Sequence, residues 1–270
     1  MKYETLFNNE KIQSIGFGTW RIGGASTPNL ALDSASLAAL CSALELGYTH
    51  FDTAEMYGGG HSEELLGQAI RENHIDRTKL FITTKVTPSH LRYDDVFRAC
   101  ESSLRRLGMD YIDLYLIHWP SHSIPLEETF RALNELVSRG KVRHLGVSNF
   151  ELDILQQSER LSATPIVTNQ IPYSLFDRSY AKSGVLSYCQ QKNILVTAYS
   201  PVKEGRIKVT HSLQSIAHAH NATPYQIALA WLVNQPKIIT IPMSFNPQHQ
   251  AENLAAAEIK LTDAEMEELA

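Results

Sequence analysis

YTHFD (48–52), LFITTK (80–85) and IDLYLIH (112–118) are three apolar runs, and each closes on an ionisable residue. Those residues, Asp52, Lys85 and His118, stand 33 positions apart each time. Equal spacing of that length holds one strand, one helix and one return per unit. If the strands are parallel neighbours, the three side chains meet at the carboxyl edge of one sheet. Tyr57 follows Asp52 in a glycine-rich turn, Tyr57-Gly58-Gly59-Gly60, and joins them. Acid, base and cation converging on such an edge form an active-site arrangement.

Outward from this stretch, similar runs recur at 15–19, 142–148, 166–170, 194–200 and 238–243, making eight strands with the first three. Amphipathic stretches lie between them. Leu37, Leu40, Cys41 and Leu44 fall on one helical face before Gly47. Val96, Cys100, Leu104 and Leu107 repeat the pattern before Gly108, and Leu126, Phe130, Leu133 and Val137 before Gly140. Alternation of this kind predicts an α/β chain, a (β/α)8 TIM barrel with a doubly wound open sheet as its competitor. Residues 3–13 read as a hairpin about Asn8-Asn9, placed to cap the amino end of the barrel. Residues 202–212 read as a long polar loop after the seventh strand. No linker breaks the pattern, so residues 1–270 are expected to form a single domain.

Hydrophobic residues make up 43% of the chain and charged residues 20%, with a net charge of -5. No basic stripe offers a surface to nucleic acid. The segment from Met1 to Asn9 has no apolar core of a signal peptide, and no apolar run is long enough to span a bilayer. A cytoplasmic monomer, with neither nucleic acid nor membrane as partner, is the expectation. Cys41, Cys100 and Cys189 have no paired spacing and read as buried or half-buried thiols.

The four clustered groups suit one kind of chemistry. A tyrosine is a weak acid, with a reference pKa of about 10, and an adjacent cation favours its phenolate. Lys85 supplies that cation, Asp52 holds Lys85 charged, and His118 can hydrogen-bond an oxygen in the same place. Such a set gives a proton to a carbonyl oxygen or takes one from an alcohol. It lacks the nucleophile–base pair that hydrolysis needs. Taken singly, each has a bland reading: Asp52 as a helix cap, Lys85 as a solvated edge residue, Tyr57 as packing, His118 as one of eleven histidines. Their conjunction decides. Pro120 separates His118 from His122, and His218 and His220 face different ways on a helix, so no metal set is read.

The motifs then align in order with one family. FDTAEMYG (51–58) resembles the signature of the aldo-keto reductases, as do TKV (84–86), LIHWP (116–120) and GVSNF (146–150). GTW (18–20), NQ (169–170), AYSP (198–201) and IP (241–242) follow in register. The resemblance, closest to small prokaryotic reductases of aldehydes and α-dicarbonyls, implies carbonyl reduction to alcohols. Its cofactor would be NADPH and/or NADH, bound extended without a Rossmann unit, and its substrate a small-molecule carbonyl. By the family pattern Tyr57 is the proton donor, Lys85 and Asp52 tune it, and His118 orients the carbonyl. Ser148, Asn149 and Gln170 hold the nicotinamide carboxamide, and Tyr199 stacks on that ring. Ser200 and Val202 follow the pyrophosphate, and Glu252 and Asn253 contact the adenine. Gly18, Thr19, Trp20, Asp52, Ile241, Met243, Ser244 and His249 complete the cofactor side. Trp20, Met56 and Trp119 wall the substrate pocket with Tyr57 and His118.

Two departures bear on use. Met243 and His249 stand where NADPH-preferring members carry Lys and Arg, removing most of the charge-assisted grip on a 2′-phosphate. Asn246-Pro247 nevertheless reads as a capped helix start suited to an anion. The chain stops at Ala270 and its 121–125 loop is short, so a shallow, open pocket is expected. A Schiff-base aldolase acting through Lys85, and a cofactor-binding regulatory subunit of the potassium-channel β type, are the alternatives.

Overall fold

A hairpin opens the chain. Strand β1 (Tyr3–Thr5) pairs antiparallel with β2 (Lys11–Gln13), Tyr3 opposite Gln13. The Leu6 N–H donates to the Glu10 carbonyl (2.8 Å) across the turn, and Asn9 takes the left-handed conformation there (φ +66°). The computed structural model describes residues 1–269, so Ala270, the last residue of the expected domain, lies outside them.

Eight parallel strands follow: β3 (Phe17–Gly18), β4 (His50–Asp52), β5 (Phe81–Val86), β6 (Ile112–Ile117), β7 (Val142–Ser148), β8 (Ile166–Pro172), β9 (Leu195–Tyr199) and β10 (Ile238–Thr240). Each neighbours the next in chain order. The ring closes where β10 meets the segment leading into β3. Thr240 N–H donates to Ser14 O and Gly16 N–H to Thr240 O, both at 2.8 Å, and Gly18 N–H to Pro242 O at 3.1 Å. Sequential order with closure defines the (β/α)8 barrel and removes the open sheet as a competitor. The seam is tight. A Cβ on Gly18 would lie 2.5 Å from the Ile241 carbonyl oxygen, so only glycine lets the two backbones approach this closely.

All eight strands stand where expected, several of them shorter: the 15–19 run is regular strand only over Phe17–Gly18, with Ile15 bridging Thr240, and the 238–243 run only over Ile238–Thr240. At the carboxyl edge the chain leaves the ladder to turn, with Asn149 and Ser200 at positive φ (+62° and +52°).

Helices α1 (Asp33–Glu45), α2 (His61–Glu72), α3 (Tyr93–Leu107), α4 (Leu126–Ser138), α5 (Leu152–Leu161), α6 (Ser179–Lys182), α7 (Val185–Gln191), α8 (His211–Ala219), α9 (Pro224–Val233), α10 (Pro247–Ala255) and α11 (Asp263–Leu269) fill the returns and the end of the chain. In α3 the spaced residues Val96, Cys100, Leu104 and Leu107 are all buried. In α1 the buried face is Ser36, Ala39, Leu40, Ala43 and Leu44, so Leu37 and Cys41 flank it, half-buried. Alanines let α1 approach closely, and that rotates the stripe. The expected 202–212 loop ends earlier, because Thr210 accepts a hydrogen bond from the Leu213 N–H and starts α8 at His211.

Leu6 and Ile12 of the hairpin pack with Phe81, Leu114, Leu116, Val167, Leu195 and Ile239 of the barrel strands. Around this plug runs an ionic network. Glu10 meets His144 (2.7 Å) and Arg143 (2.8 Å), and Arg143 continues to Asp113 (2.9 Å). The hairpin caps the amino end, as expected, and the opposite end is left to the site.

Candidate active site

β4, β5 and β6 are parallel neighbours and deliver Asp52, Lys85 and His118 to one edge. Lys85 is fully buried, and its ammonium donates to three oxygens: Asp52 Oδ1 at 2.6 Å, the Thr53 carbonyl at 2.8 Å and the Tyr57 hydroxyl at 3.3 Å. Burial alone would discharge the amine, but the Asp52 carboxylate and the Tyr57 oxygen outweigh it and raise its pKa. A permanently charged ammonium with every proton engaged is no Schiff-base nucleophile, which argues against the aldolase alternative.

Tyr57 begins a 3-10 turn through Gly60, and Gly58, Gly59 and Gly60 all have positive φ (+58°, +63° and +98°). Three left-handed residues in a row reverse the chain within one turn, so that Tyr57 faces back over Lys85. Burial raises the phenol's pKa and the Lys85 charge pulls against that rise. Trp20 packs edge-on to the Tyr57 ring (5.0 Å), and His118 does so from another side (5.7 Å).

His118 is buried and stacks on Trp119 at 4.0 Å, and its Nδ1 has no hydrogen-bond partner. Burial, helped by the Lys85 charge, pulls its pKa down to about 2. The imidazole is therefore neutral. It can offer one N–H to an oxygen but holds no second proton to give.

These groups open on a cleft of about 450 Å³ whose wall also includes Gly18, Trp20, Met56, Ser148, Asn149 and Gln170. Tyr199, Ser200, Val202, Ile241, Met243 and Ser244 extend it, and Thr19 and Trp119 complete the residues expected there. Lys85 lies behind Tyr57 rather than on the wall. His249, Glu252 and Asn253 are off the wall too: they sit on α10, His249 exposed and the other two half-buried.

The floor is a hydrogen-bonded set. Ser148 Oγ donates to the Gln170 carbonyl (2.9 Å), and Asn149 Nδ2 donates to Ser148 Oγ (2.9 Å) and to the His118 carbonyl (3.1 Å). The Tyr199 hydroxyl donates to Asn149 Oδ1 (2.9 Å). Burial pushes the Tyr199 phenol up to about 12, so it is a neutral ring face, not a second acid. Gln170 gives its amide N–H to Asp52 Oδ2 (2.8 Å), while among the described residues no hydrogen bond uses its amide oxygen. That free acceptor beside a flat aromatic face fits a nicotinamide carboxamide. The far end fits an anion: Asn246 caps α10 by accepting from Gln248 N–H (2.9 Å), with Pro247 in the first turn.

Some lining residues were not anticipated: Arg21, Pro201, Glu204, Gly205, Pro242 and Phe245. Arg21 and Glu204 form an ion pair at 3.0 Å that joins the loops after β3 and β9. Arg21 adjoins Trp20 in sequence, but no spacing announces that two loops so far apart in the chain meet. Among the described residues no helix is long and apolar enough to cross a membrane, and no three His, Cys, Asp or Glu side chains are grouped as for a metal ion.

A phenol held against a buried, ion-paired ammonium at the carboxyl end of a (β/α)8 barrel defines an oxidoreductase that moves a proton to or from a carbonyl oxygen. The profile of the Aldo/keto reductase family matches residues 14–270. Methylglyoxal reductase YeaE of Escherichia coli is 37% identical over 261 residues, 94% of this chain and 89% of that protein. A crystal structure of a thermostable aldo-keto reductase with the inhibitor epalrestat has 46% identity and a TM-score of 0.96, covering 100% of this chain and 98% of that one. An aldo-keto reductase from Klebsiella pneumoniae in complex with NADPH has 36% identity and a TM-score of 0.88, covering 100% and 94%. The chain belongs to the aldo/keto reductase family and is an NAD(P)H-dependent oxidoreductase.

Proposed function

We propose that this enzyme reduces small aldehydes and α-dicarbonyls to alcohols, with Tyr57 as the proton donor. The observation that carries the reading is the Lys85 ammonium 3.3 Å from the Tyr57 hydroxyl, buried and paired with Asp52. The neutral His118 N–H receives the carbonyl oxygen and fixes it beside the phenol. Tyr57 protonates that oxygen as charge develops on it, and Lys85 stabilises the phenolate left behind. A nicotinamide cofactor, when bound, would supply the hydride. Ser148, Asn149 and Gln170 would hold its carboxamide and Tyr199 would pack on its ring. Ser200 and Val202 would serve the pyrophosphate, and Met243, Ser244, His249, Glu252 and Asn253 the adenosine end.

Trp20, Met56 and Trp119 give the carbonyl flat apolar walls, and Trp119 is 39% exposed, so the substrate side is open. Small, reactive carbonyls suit such a site better than cyclic aldoses. The substrate is read as a small-molecule carbonyl, and the enzyme as a cytoplasmic monomer. A panel including methylglyoxal and simple aldoses, assayed with NADPH and NADH, tests the reading. Higher kcat/KM for methylglyoxal than for aldoses is expected. No turnover of any carbonyl would return the chain to the non-catalytic, cofactor-binding alternative.

A further inference from the structure

Holding a cofactor does not account for where Gln170 points. It lies on β8, buried, 118 residues from Asp52 in the chain, yet its amide nitrogen donates to Asp52 Oδ2 at 2.8 Å. The other carboxylate oxygen, Oδ1, accepts from Lys85, and Lys85 donates onward to Tyr57. One continuous run of hydrogen bonds thus goes Gln170–Asp52–Lys85–Tyr57. Its first member faces the cleft with a free amide oxygen, and its last faces the carbonyl position.

We propose that Gln170 is a positioning residue that transmits occupancy of the nicotinamide position to the proton donor, acting through Asp52 and Lys85. This rests on the carbonyl-reductase reading above. A ligand N–H on Gln170 Oε1 polarises the amide, and hydrogen bonds in series strengthen one another. A stronger donor on Asp52 Oδ2 stabilises the carboxylate's charge. Asp52 then draws less on the Lys85 proton, and more of the ammonium's field reaches the Tyr57 oxygen. Without that donor, Asp52 Oδ2 is a buried carboxylate oxygen lacking a partner, which is costly. Asp52 leans harder on Lys85, and the phenol keeps its proton more tightly.

The groups around this run leave Gln170 as the lever. Asp52 and His50 face it from β4, Lys85 from β5, His118 from the end of β6 and Tyr199 from the end of β9. Burial holds His50 and His118 neutral, their pKa values pulled down to about 4 and about 2. Tyr199 is neutral as argued above. Asp52 and Lys85 are the only charges, and Gln170 donates to the first of them.

The test uses Gln170→Met, which keeps the length of the side chain and removes the N–H. Ser148→Ala is its control, because it trims the same floor without touching Asp52. Tyr57 ionisation is followed by NMR of protein carrying 13Cζ-tyrosine, with the Tyr57 signal assigned by its absence in Tyr57→Phe. In wild type, adding NADPH should lower the Tyr57 midpoint. Gln170→Met should raise the midpoint in the free protein, by roughly 0.5–1 pH unit, and blunt the response to NADPH. Ser148→Ala should weaken NADPH binding and leave the free midpoint in place. The pH profile of kcat should move with the midpoint. If Gln170→Met fails to fold, Gln170→Glu preserves the shape and sets a second carboxyl against Asp52, so an upward shift is again expected. A midpoint unmoved in the folded variant, with aldehydes still reduced, overturns the coupling and leaves the reductase reading standing. Wild type that binds neither NADPH nor NADH overturns both.

Discussion

Lys85 directs its three ammonium protons at three oxygens, and of these only the Tyr57 hydroxyl changes charge in a carbonyl reduction. Tyr57→Phe should therefore lower kcat by roughly 10²–10⁴-fold, the usual worth of a general acid. NADPH affinity, read by fluorescence titration, should stay within a few-fold. A variant that reduces methylglyoxal nearly as fast as wild type would remove Tyr57 from the mechanism. Lys85→Met should be almost as damaging, because it strips the charge beside the phenol. Asp52→Asn should cost less, since Asp52 acts through Lys85. Both should displace the pH profile of kcat, and an unchanged profile in Lys85→Met would make Lys85 merely structural. Asp52, Lys85 and His118 were legible in the sequence because equal spacing is a local, countable signal, and Tyr57 because a glycine-rich turn follows Asp52. The Thr53 carbonyl, the Gln170–Asp52 bond and the Arg21–Glu204 pair were not. They join residues as far as 183 positions apart, and such contacts follow from how the ring closes, which periodicity does not encode.

At the scale of elements, the strands were read in the right places with some ends misplaced: the 15–19 and 238–243 runs were drawn too long, and β8 continues past Gln170 to Pro172. Hydrophobicity does not mark where a ladder ends. The same limit hid the rotation of α1, where Ala39 and Ala43 share the buried face with Leu40 and Leu44. Helix α10 carries the prediction for this scale. Its capped N-terminus attracts an anion, yet Met243 beside it is uncharged and His249 in its first turn is exposed. NADH should be clearly usable beside NADPH. Met243→Lys with His249→Arg should add a marked NADPH preference, roughly 10²-fold or more, at about 1.5–3 kcal/mol for each charge-assisted bond. The ratio of kcat/KM for the two cofactors at pH 8 is the measurement. Strong wild-type discrimination for NADPH with no gain in the double variant would defeat the argument.

Across the whole molecule, stability should fall off on the acid side for a nameable reason. His50 is buried on β4 near the amino end, edge-on to Phe81, and burial holds its pKa down to about 4. The unfolded chain takes up that proton near the reference value of about 6.5, so it binds more protons than the folded chain between the two values. Stability should then drop as pH falls from about 6.5 to 4, by roughly 3 kcal/mol from this residue. Urea midpoints measured across that range should flatten in His50→Gln, and an equally steep limb in the variant would point elsewhere. The barrel has one more consequence, for how the chain can be cut and rejoined. Every strand of the ring places a candidate site residue at or within two positions of its carboxyl end: Gly18, Asp52, Lys85, His118, Ser148, Gln170, Tyr199 and Ile241. Such a rotary site has no working subset. Circular permutation keeps all eight contributors, whereas removing a single βα unit silences the remainder, so turnover reports on closure itself. A chain split at an outer return and recombined would regain carbonyl reduction only as the two arcs complete the circle.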